Sequence, residues 1–439
     1  MSQILWIPGL TAVGLIILLR LEYAVLIFFA INLSIQHLAS MQMGPLSGLE
    51  CAAILIPLTF IIKLLVNHNI IYELNKDLTI LLFYVVLFLL FGSGIMPSTE
   101  FVTPLMIRIQ NWAKFASGFV IFLVTSSVFK DEKKVRKAFL AIPLTILIPG
   151  IIFYGQLFTG DLVRVGQRFM PSVYFQNEHT ITYVIVIILP IVFFNLSMVS
   201  RLALKGLWLF IIASLLIIVF YSYARTGWIA VAVELIVIAL LSDKRKTMVI
   251  ILLCLSPAIA YFFADIFASQ LQDIATFFLN LSEVFKSDKY DYLFSSRWFI
   301  FRRNLLGLWN SGPLNFLFGF GIGGSAYLST GSGYGGGHSS YIVLLSEFGL
   351  INFSLYFWLI GLLLVRSYRL LSSTNSVIRN LGQACLTVIV GYLTLGLGTH
   401  FFYFLSSGVW LFWGICGIMI GVYSVEGKKQ QSANEALMI

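Results

Sequence analysis

Long apolar runs, separated by short polar segments, recur along almost the whole chain. Runs long enough to cross a bilayer fall at 4–19, 23–37, 49–66, 78–95, 115–129, 138–158, 180–198, 205–221, 228–241, 247–265, 340–365, 381–398 and 408–424. A backbone in lipid must satisfy its hydrogen bonds within the segment, so each run predicts a helix. The pattern therefore predicts an all-α, polytopic transmembrane bundle of roughly 12 or 13 spans, because the first two runs are short enough to form one hairpin.

Composition supports lipid as the solvent for most of the 439 residues. Hydrophobic residues make up 59% of the chain and charged residues only 11%, whereas a soluble domain carries about 25% charged residues. We therefore expect a single transmembrane domain over 1–439. The net charge of +9 is typical of basic cytoplasmic loops, so nucleic acid is not an expected partner.

The basic residues predict which way the bundle faces. Clusters at 130–137, 201–205, 244–246, 366–379 and 428–429 all fall on one side when the spans are threaded in order. The positive-inside rule assigns that side to the cytoplasm. The other side then receives 96–113, 159–179, 222–227, 266–339 and 399–407.

The segment 266–339 is the longest of these and is predicted to be one long extracytoplasmic loop. It contains amphipathic stretches at Phe267–Phe285 and Trp298–Trp309, which are typical of helices that lie along a membrane surface. It ends in a glycine-rich run, Gly331–Gly337. Long loops on a rigid scaffold often carry function.

Arginines recur on the predicted outer side. Arg225 stands between two apolar spans, where it either extends to the interface or faces the bundle interior and binds an anion. A guanidinium suits diphosphate oxygens because it makes bidentate bonds and keeps its charge. Arg297 and Arg303 are separated by about 600° on a helix, so Arg297, Arg302 and Arg303 cannot all face one site.

Two further arginines, Arg164 and Arg168, occupy the predicted outer segment 159–179. If these side chains converge with Arg225 and with an arginine of the long loop, they would form a positive pocket for an anionic head group.

His338 closes the glycine-rich run and precedes the next apolar span. A lone histidine is often structural, but imidazole is also the usual general base near neutrality. Glu347 lies nine residues further on, about 180° around the helix, so the two side chains are not expected to pair directly. Glu347 either pairs with an arginine or packs between spans.

Motifs for metal or nucleotide chemistry are missing from the sequence. Gly319–Gly324 fits a dinucleotide pattern, but no βαβ unit surrounds it, so we interpret it as a turn. Cys51, Cys254, Cys385 and Cys416 lack metal-type spacing. We expect neither a metal nor a cofactor.

Four stretches together resemble the O-antigen ligase and O-antigen polymerase superfamily of bacterial inner-membrane proteins. They are Phe175–His179 with the apolar run to Pro190, Ala224–Trp228, Ser296–Arg297 with Gly312–Gly323, and His338–Leu350. The last is the most specific, with a histidine, a small polar residue and an apolar helix that contains Glu-x-Gly.

The resemblance implies a fold of the GT-C type and a metal-independent glycosyltransferase that acts on the periplasmic face of the inner membrane. The donor would be a glycan linked to undecaprenyl diphosphate. By position, Arg225 and Arg297 would bind the diphosphate, with Arg303 or Arg302 as alternatives to Arg297. His338 would deprotonate or orient the acceptor hydroxyl. Arg164, Arg168 and Glu347 are possible supporting residues.

Polymerase and ligase are both compatible with these residues. A polymerase would extend a lipid-linked repeat unit during synthesis of O-antigen, capsule or exopolysaccharide, and a chain-length regulator is then a candidate partner. A ligase would transfer the glycan to lipid A–core or to a protein. We favour the polymerase. A flippase for lipid-linked oligosaccharides is a third hypothesis, which fits less well because the charge gathers around one outer loop.

Overall fold

The computed structural model is a bundle of long apolar helices. It describes residues 22–23, 25–30, 42–43, 46–47, 78–85, 105–160, 163–165, 168–170, 178–222, 224–241, 297–321, 324–325, 328, 339–399 and 407–437. Its helices are α1 Leu105–Val128, α2 Glu132–Ala141, α3 Leu147–Thr159, α4 Glu178–Met198, α5 Leu202–Tyr221, α6 Arg225–Leu241, α7 Arg297–Asn310, α8 Pro313–Phe318, α9 Ser340–Leu370, α10 Ser376–Gly396 and α11 Ser407–Leu437. A 3₁₀ turn, Ile142–Ile146, joins α2 to α3.

Two short hairpins accompany the helices. Strand β1, Gln42–Met43, pairs with β2, Leu46–Ser47, and β3, Val163–Val165, pairs with β4, Arg168–Met170, both antiparallel. They are too short to change the fold class, and the predicted polytopic helical bundle is confirmed.

Six helical segments among the described residues are long and apolar enough to cross a membrane. They are Glu132–Thr159, Ile181–Met198, Leu202–Tyr221, Ser340–Leu370, Ser376–Gly396 and Gly408–Glu426. The predicted spans 4–19, 49–66 and 247–265, and most of 23–37 and 78–95, lie outside the described residues. The total of 12 or 13 spans therefore stays a prediction.

Helix boundaries differ from the apolar runs where polar residues also adopt helical structure. Helix α10 begins at Ser376, ahead of the predicted 381, because Asn375 caps it by accepting a hydrogen bond from the Val377 N–H at 2.9 Å. Helix α1 begins at Leu105, inside the segment predicted as an outer loop. Hydropathy locates the lipid-facing part of a helix and not its ends.

One end of the bundle gathers basic residues. There Glu132 accepts hydrogen bonds from Arg136 at 2.7 Å and from Asn375 Nδ2 at 3.3 Å, which joins the start of α2 to the start of α10. Arg369 donates to the Tyr423 hydroxyl at 3.1 Å. We call this the basic end; the described basic residues in it include Lys130, Lys133, Lys134, Lys137, Arg201, Lys205 and Arg379.

Small residues allow α1 and α11 to pack closely. On α11, Gly417 and Gly421 are spaced as in the small-xxx-small pattern of membrane helices. A Cβ at Gly421 would meet the carbonyl oxygens of Ser126 and Phe129 on α1 and just after it. Aromatic rings, including Trp413 between Phe119 and Phe122, fill the adjoining core.

Candidate functional site

Helix α10 packs against α4, α6 and α9, and α6 runs antiparallel to it. Gln383 Nε2 of α10 donates to the Leu241 carbonyl at 2.6 Å, at the last residue of α6. Further along, the Glu234 carboxyl lies directly against Gly391. Gln383 lies beside Leu241, and the stretch from Gln383 to Thr399 has the same length as α6 from Leu241 back to Arg225. The start of α6 therefore lies about level with Thr399.

Helix α9 begins at the same end of α10. Ser339 Oγ donates to the Gly396 carbonyl at 3.2 Å, and Ser340 Oγ donates to the Thr399 carbonyl. The Tyr341 hydroxyl donates to the Leu393 carbonyl at 2.8 Å. The residue that directly follows His338 in sequence is therefore fixed to the last turn of α10.

Helix α4 also begins there. Thr182, in its second turn, donates a hydrogen bond to Ser222 Oγ at 2.6 Å, just before α6. At the far end of α4, Ser197 accepts from Asn380 Nδ2 at 3.0 Å, so α4 runs antiparallel to α10. We call this region, marked by Thr182, Arg225, Ser339 and Thr399, the site end; it is opposite the basic end.

The site end combines the starts of three described helices. The N–H groups of a helix's first turn have no partners within the helix, and the helix dipole places a partial positive charge there. Three such starts around the end of α10 favour a negatively charged ligand.

Helix α9 is interrupted after its first few turns. Gly349 has φ +76° and ψ 176°, so the helical hydrogen-bonding pattern stops there. The carbonyl oxygens of Ser346 and Glu347 accept hydrogen bonds instead from the N–H groups of Phe320 and Gly321, at 2.9 and 2.8 Å. We call this contact between 346–349 and 319–321 the α9 break.

Close approach of two backbones explains the glycines of the α9 break. A Cβ at Gly319 would meet the Glu347 backbone, and a Cβ at Gly349 would meet the Leu317 carbonyl. Gly319 and Gly321 also have positive φ, +80° and +78°. The turn predicted at Gly319–Gly324 is present in its described part. It joins two stretches of the family resemblance, Gly312–Gly323 and His338–Leu350.

Glu347 is buried at the α9 break, where it is 2% exposed. Ser325 Oγ donates to its Oε1 at 3.0 Å. The Glu347 carboxyl thus links α9 to the segment that follows α8. Whether Glu347 pairs with an arginine or packs between spans stays a prediction, and so does its role as a supporting site residue.

Helix α7 separates the three arginines of the long loop. Position 297 lies on the same helical face as Asn304 and Leu308, which are 0% and 1% exposed. Arg302 and Arg303 are exposed on the other side. The amphipathic helix predicted for Trp298–Trp309 is therefore present, and its inward face contains position 297.

The β3–β4 hairpin carries Arg164 and Arg168. Arg164 pairs with Phe169, and Arg168 pairs with Val165. Neighbouring positions along a strand alternate between faces, so positions 164 and 168 lie on opposite faces of the hairpin. From a flat ribbon, only one of them can face a given site.

The predicted chemistry of the site residues is not tested by these positions. His338 lies outside the described residues, and so do the side chains of Arg164, Arg168, Arg225 and Arg297. Their roles stay predictions. Among the described residues no group of three or more His, Cys, Asp or Glu side chains could hold a metal ion.

Sequence reasoning missed several buried polar residues of this region. Glu234 is 0% exposed in the middle of α6, and neither carboxyl oxygen has a hydrogen-bond partner among the described residues. An acidic residue in an apolar run should have drawn attention to it. Thr182 and Ser222 gave no comparable signal, because hydroxyl residues are common in membrane helices.

Comparison with known families finds a match to part of the chain. Residues 208–357 match the family model described as O-antigen ligase. This segment is similar to the O-antigen ligase family. The predicted relationship to the O-antigen ligase and polymerase superfamily is confirmed for this segment, about a third of the chain. No curated protein matches the chain.

The O-antigen ligase segment, residues 208–357, includes α6, α7, the α9 break and the first half of α9. It indicates a multi-pass membrane enzyme of the glycosyltransferase type. It also contains Arg225, Arg297, Arg303, His338 and Glu347.

Proposed function

We propose that the chain transfers a glycan from undecaprenyl diphosphate to an acceptor sugar at the site end. The observation that carries the proposal is the common location of two helix starts within the O-antigen ligase segment. Arg225 begins α6, Ser339 precedes α9 and follows His338 in sequence, and both helices begin at the same end of α10.

The donor's diphosphate would bind to arginines and helix starts. Arg225 can form two charge-assisted hydrogen bonds to phosphate oxygens while the start of α6 adds its partial positive charge. Arg297 is our second candidate, because position 297 lies on the face of α7 that contains buried Asn304. Arg303 is exposed on the other side of α7, so we consider it a weaker candidate than Arg297.

The acceptor would react by direct displacement. The acceptor hydroxyl oxygen attacks the anomeric carbon, the bond from that carbon to the phosphate oxygen breaks, and undecaprenyl diphosphate leaves. His338 takes the hydroxyl proton as general base. Fixed guanidinium groups stabilise the charge that develops on the leaving diphosphate, so the reaction needs neither a metal nor a nucleotide. The product has inverted configuration at the sugar.

The site end would face the periplasm of a bacterial inner membrane. The basic end lies opposite, and basic residues favour the cytoplasmic side. Lipid-linked glycans that reach the outer leaflet would then enter the bundle next to α6 and α9.

Within this activity we propose polymerization of lipid-linked repeat units, with the ligase as the alternative. The two differ only in the acceptor, which is a second lipid-linked repeat unit for a polymerase and lipid A–core or a protein for a ligase. A chain-length regulator is a proposed partner of the polymerase.

The purified full-length protein in liposomes tests the proposal. It is mixed with undecaprenyl-diphosphate-linked repeat units alone, and separately with lipid A–core. Longer lipid-linked glycans, detected by mass spectrometry, support the polymerase. Glycan on lipid A–core supports the ligase, and movement of the donor between leaflets without any new glycosidic bond supports the flippase and contradicts the proposal.

Variants test the residues. Arg225→Ala and His338→Ala should each reduce transfer by about 100-fold or more, since a donor that stabilises developing charge and a general base each contribute at least about that much. Arg225→Lys should also fail, because lysine cannot make the bidentate contact. Arg201→Ala is the matched control, since Arg201 is exposed at the basic end. If Arg225→Ala or His338→Ala were fully active, the substituted residue would have no part in the mechanism.

A further inference from the structure

The corner between α5 and α6 is held together by one buried hydroxyl group. Ser222, the C-cap of α5, donates its Oγ–H to the Val219 carbonyl at 2.7 Å. The same oxygen accepts hydrogen bonds from Thr182 Oγ1 at 2.6 Å and from the Ala224 N–H at 3.4 Å. Ala224 directly precedes Arg225, so this single group joins α4, the end of α5 and the start of α6.

Thr182 contacts the corner through both branches of its side chain. Its hydroxyl donates to Ser222, and its methyl carbon Cγ2 occupies the space that a Cβ at Gly227 would need. Thr182 is 0% exposed. The hydroxyl therefore fixes the turn before Arg225, and the methyl group packs against the first turn of α6 after it.

A second link closes the same corner from the α6 side. Trp228 Nε1–H donates to the Val219 carbonyl at 3.0 Å, so Val219 receives hydrogen bonds from both Ser222 and Trp228. With Ala224 only 2% exposed, water has little access to compete for these groups. Removal of the Thr182 hydroxyl would weaken the α4 contact while the Trp228 link remains, so the corner should shift without unfolding.

We propose that Thr182 is a positioning residue for Arg225, a role that rests on the function proposed above. Arg225 is the first residue of α6, so the place of its backbone depends directly on the corner. Bidentate binding of phosphate oxygens requires a fixed guanidinium plane. A displacement of about 1 Å in a positioning group can cost about 100-fold in rate.

Two substitutions at residue 182 separate the hydroxyl from the packing. Thr182→Val keeps the branched shape and removes the donor to Ser222. Thr182→Ser keeps the donor and removes the methyl group beside Gly227. Thr387→Val is the matched control, because Thr387 is also 0% exposed and its hydroxyl donates within its own helix, to the Gln383 carbonyl at 2.8 Å.

The first measurement is hydrogen–deuterium exchange of the peptides that cover 219–228, in the intact protein. Thr182→Val should exchange faster there by about tenfold, a change that requires only a modest loss of local stability. Thr182→Ser and Thr387→Val should leave these peptides near the wild-type rate. This readout does not depend on enzyme activity.

The second measurement is kcat and KM for transfer from the undecaprenyl-diphosphate-linked donor. Thr182→Val should lower kcat/KM by about tenfold, whereas Thr182→Ser restores most of it. In a double-mutant cycle, Thr182→Val should add almost nothing to Arg225→Ala, because a residue that acts only through Arg225 has no effect once the guanidinium is gone.

The two measurements have separate consequences. Unchanged exchange at 219–228, or an additive effect of Thr182→Val on Arg225→Ala, would overturn the positioning role. A wild type that forms no glycosidic bond would overturn the proposed function, and with it the role of Thr182 in catalysis. Faster exchange together with a non-additive loss of transfer is the result that we expect.

Discussion

Glycines bring chain segments into close contact both at the interface of α1 with α11 and at the α9 break. At the first, a Cβ on Gly417 would meet the Thr125 side chain and the Phe122 carbonyl across two regular helices. At the second, Gly349 has φ +76° and its neighbours are backbone atoms of 317–319. The first contact sets a distance between helices, whereas the second sets the path of the chain.

The difference between these regions bears on function. The α1–α11 interface lies outside the O-antigen ligase segment, so its glycines should matter for stability alone. The α9 break lies within that segment and ties 319–321 to the half of α9 that follows His338. Its glycines should matter for stability and for the arrangement of the site end.

Gly349→Ala should have the largest effect. The substitution places a side chain at positive φ, which costs about 1–3 kcal/mol, and also into the Leu317 carbonyl, which cannot move away freely. We expect a loss of about 2–6 kcal/mol in the free energy of unfolding, because overpacking adds about 1–3 kcal/mol to the backbone strain. Thermal melting in detergent measures it, and a wild-type melting temperature would contradict the α9 break.

Gly417→Ala should have a smaller effect, about 1–3 kcal/mol of overpacking at the α1–α11 interface. The helices can separate slightly to accept the methyl group. Transfer activity per folded molecule should stay at the wild-type level. If this variant lost activity while its melting temperature stayed unchanged, the distinction between the two regions would be wrong.

Gly391→Ala should cost about 1 kcal/mol, the lower end for overpacking. The obstacle is the Glu234 side chain rather than backbone, and a side chain can move. Glu234→Ala in the same protein removes the obstacle, so the double variant should melt at a higher temperature than Gly391→Ala alone. Equal melting temperatures would show that the Glu234 carboxyl does not lie against α10.

Gly361→Ala should have the smallest effect and the opposite sign. A methyl group added at this helical glycine of α9 would have no atom within 4 Å apart from its chain neighbours and the nearby backbone of its own helix. Alanine is favoured over glycine in a helix by about 0.5–1 kcal/mol. A slightly raised melting temperature with unchanged transfer is expected. A lowered melting temperature would mean that the contacts of a glycine in α9 do not determine how well it tolerates alanine.

The sequence predicts the helices well because lipid leaves few alternatives for an apolar run. The span predicted at 340–365 corresponds to Ser340–Leu370, and the one at 180–198 corresponds to Glu178–Met198. The break at Gly349 was not predicted. Glycine is common within membrane helices, so the presence of a glycine in the sequence does not show whether its backbone is helical or has positive φ.

The site was predicted only in part. Arginines on the predicted outer side could be proposed as site residues because a charge near lipid needs a reason. The hydrogen bond of Thr182 to Ser222 joins residues 40 positions apart, and no property of either residue indicates the other. A single sequence shows which side chains can do chemistry, whereas their neighbours across helices require the fold.

Binding of undecaprenyl diphosphate to the purified protein, measured by native mass spectrometry, tests the central claim most directly. Arg225→Ala at the site end should weaken binding by about tenfold or more, since a hydrogen bond to a charged group contributes about 1.5–3 kcal/mol. Arg201→Ala at the basic end should bind as the wild type does. Equal binding by wild type and Arg225→Ala, or an equal loss in Arg201→Ala, would contradict a diphosphate site where α4, α6 and α9 begin.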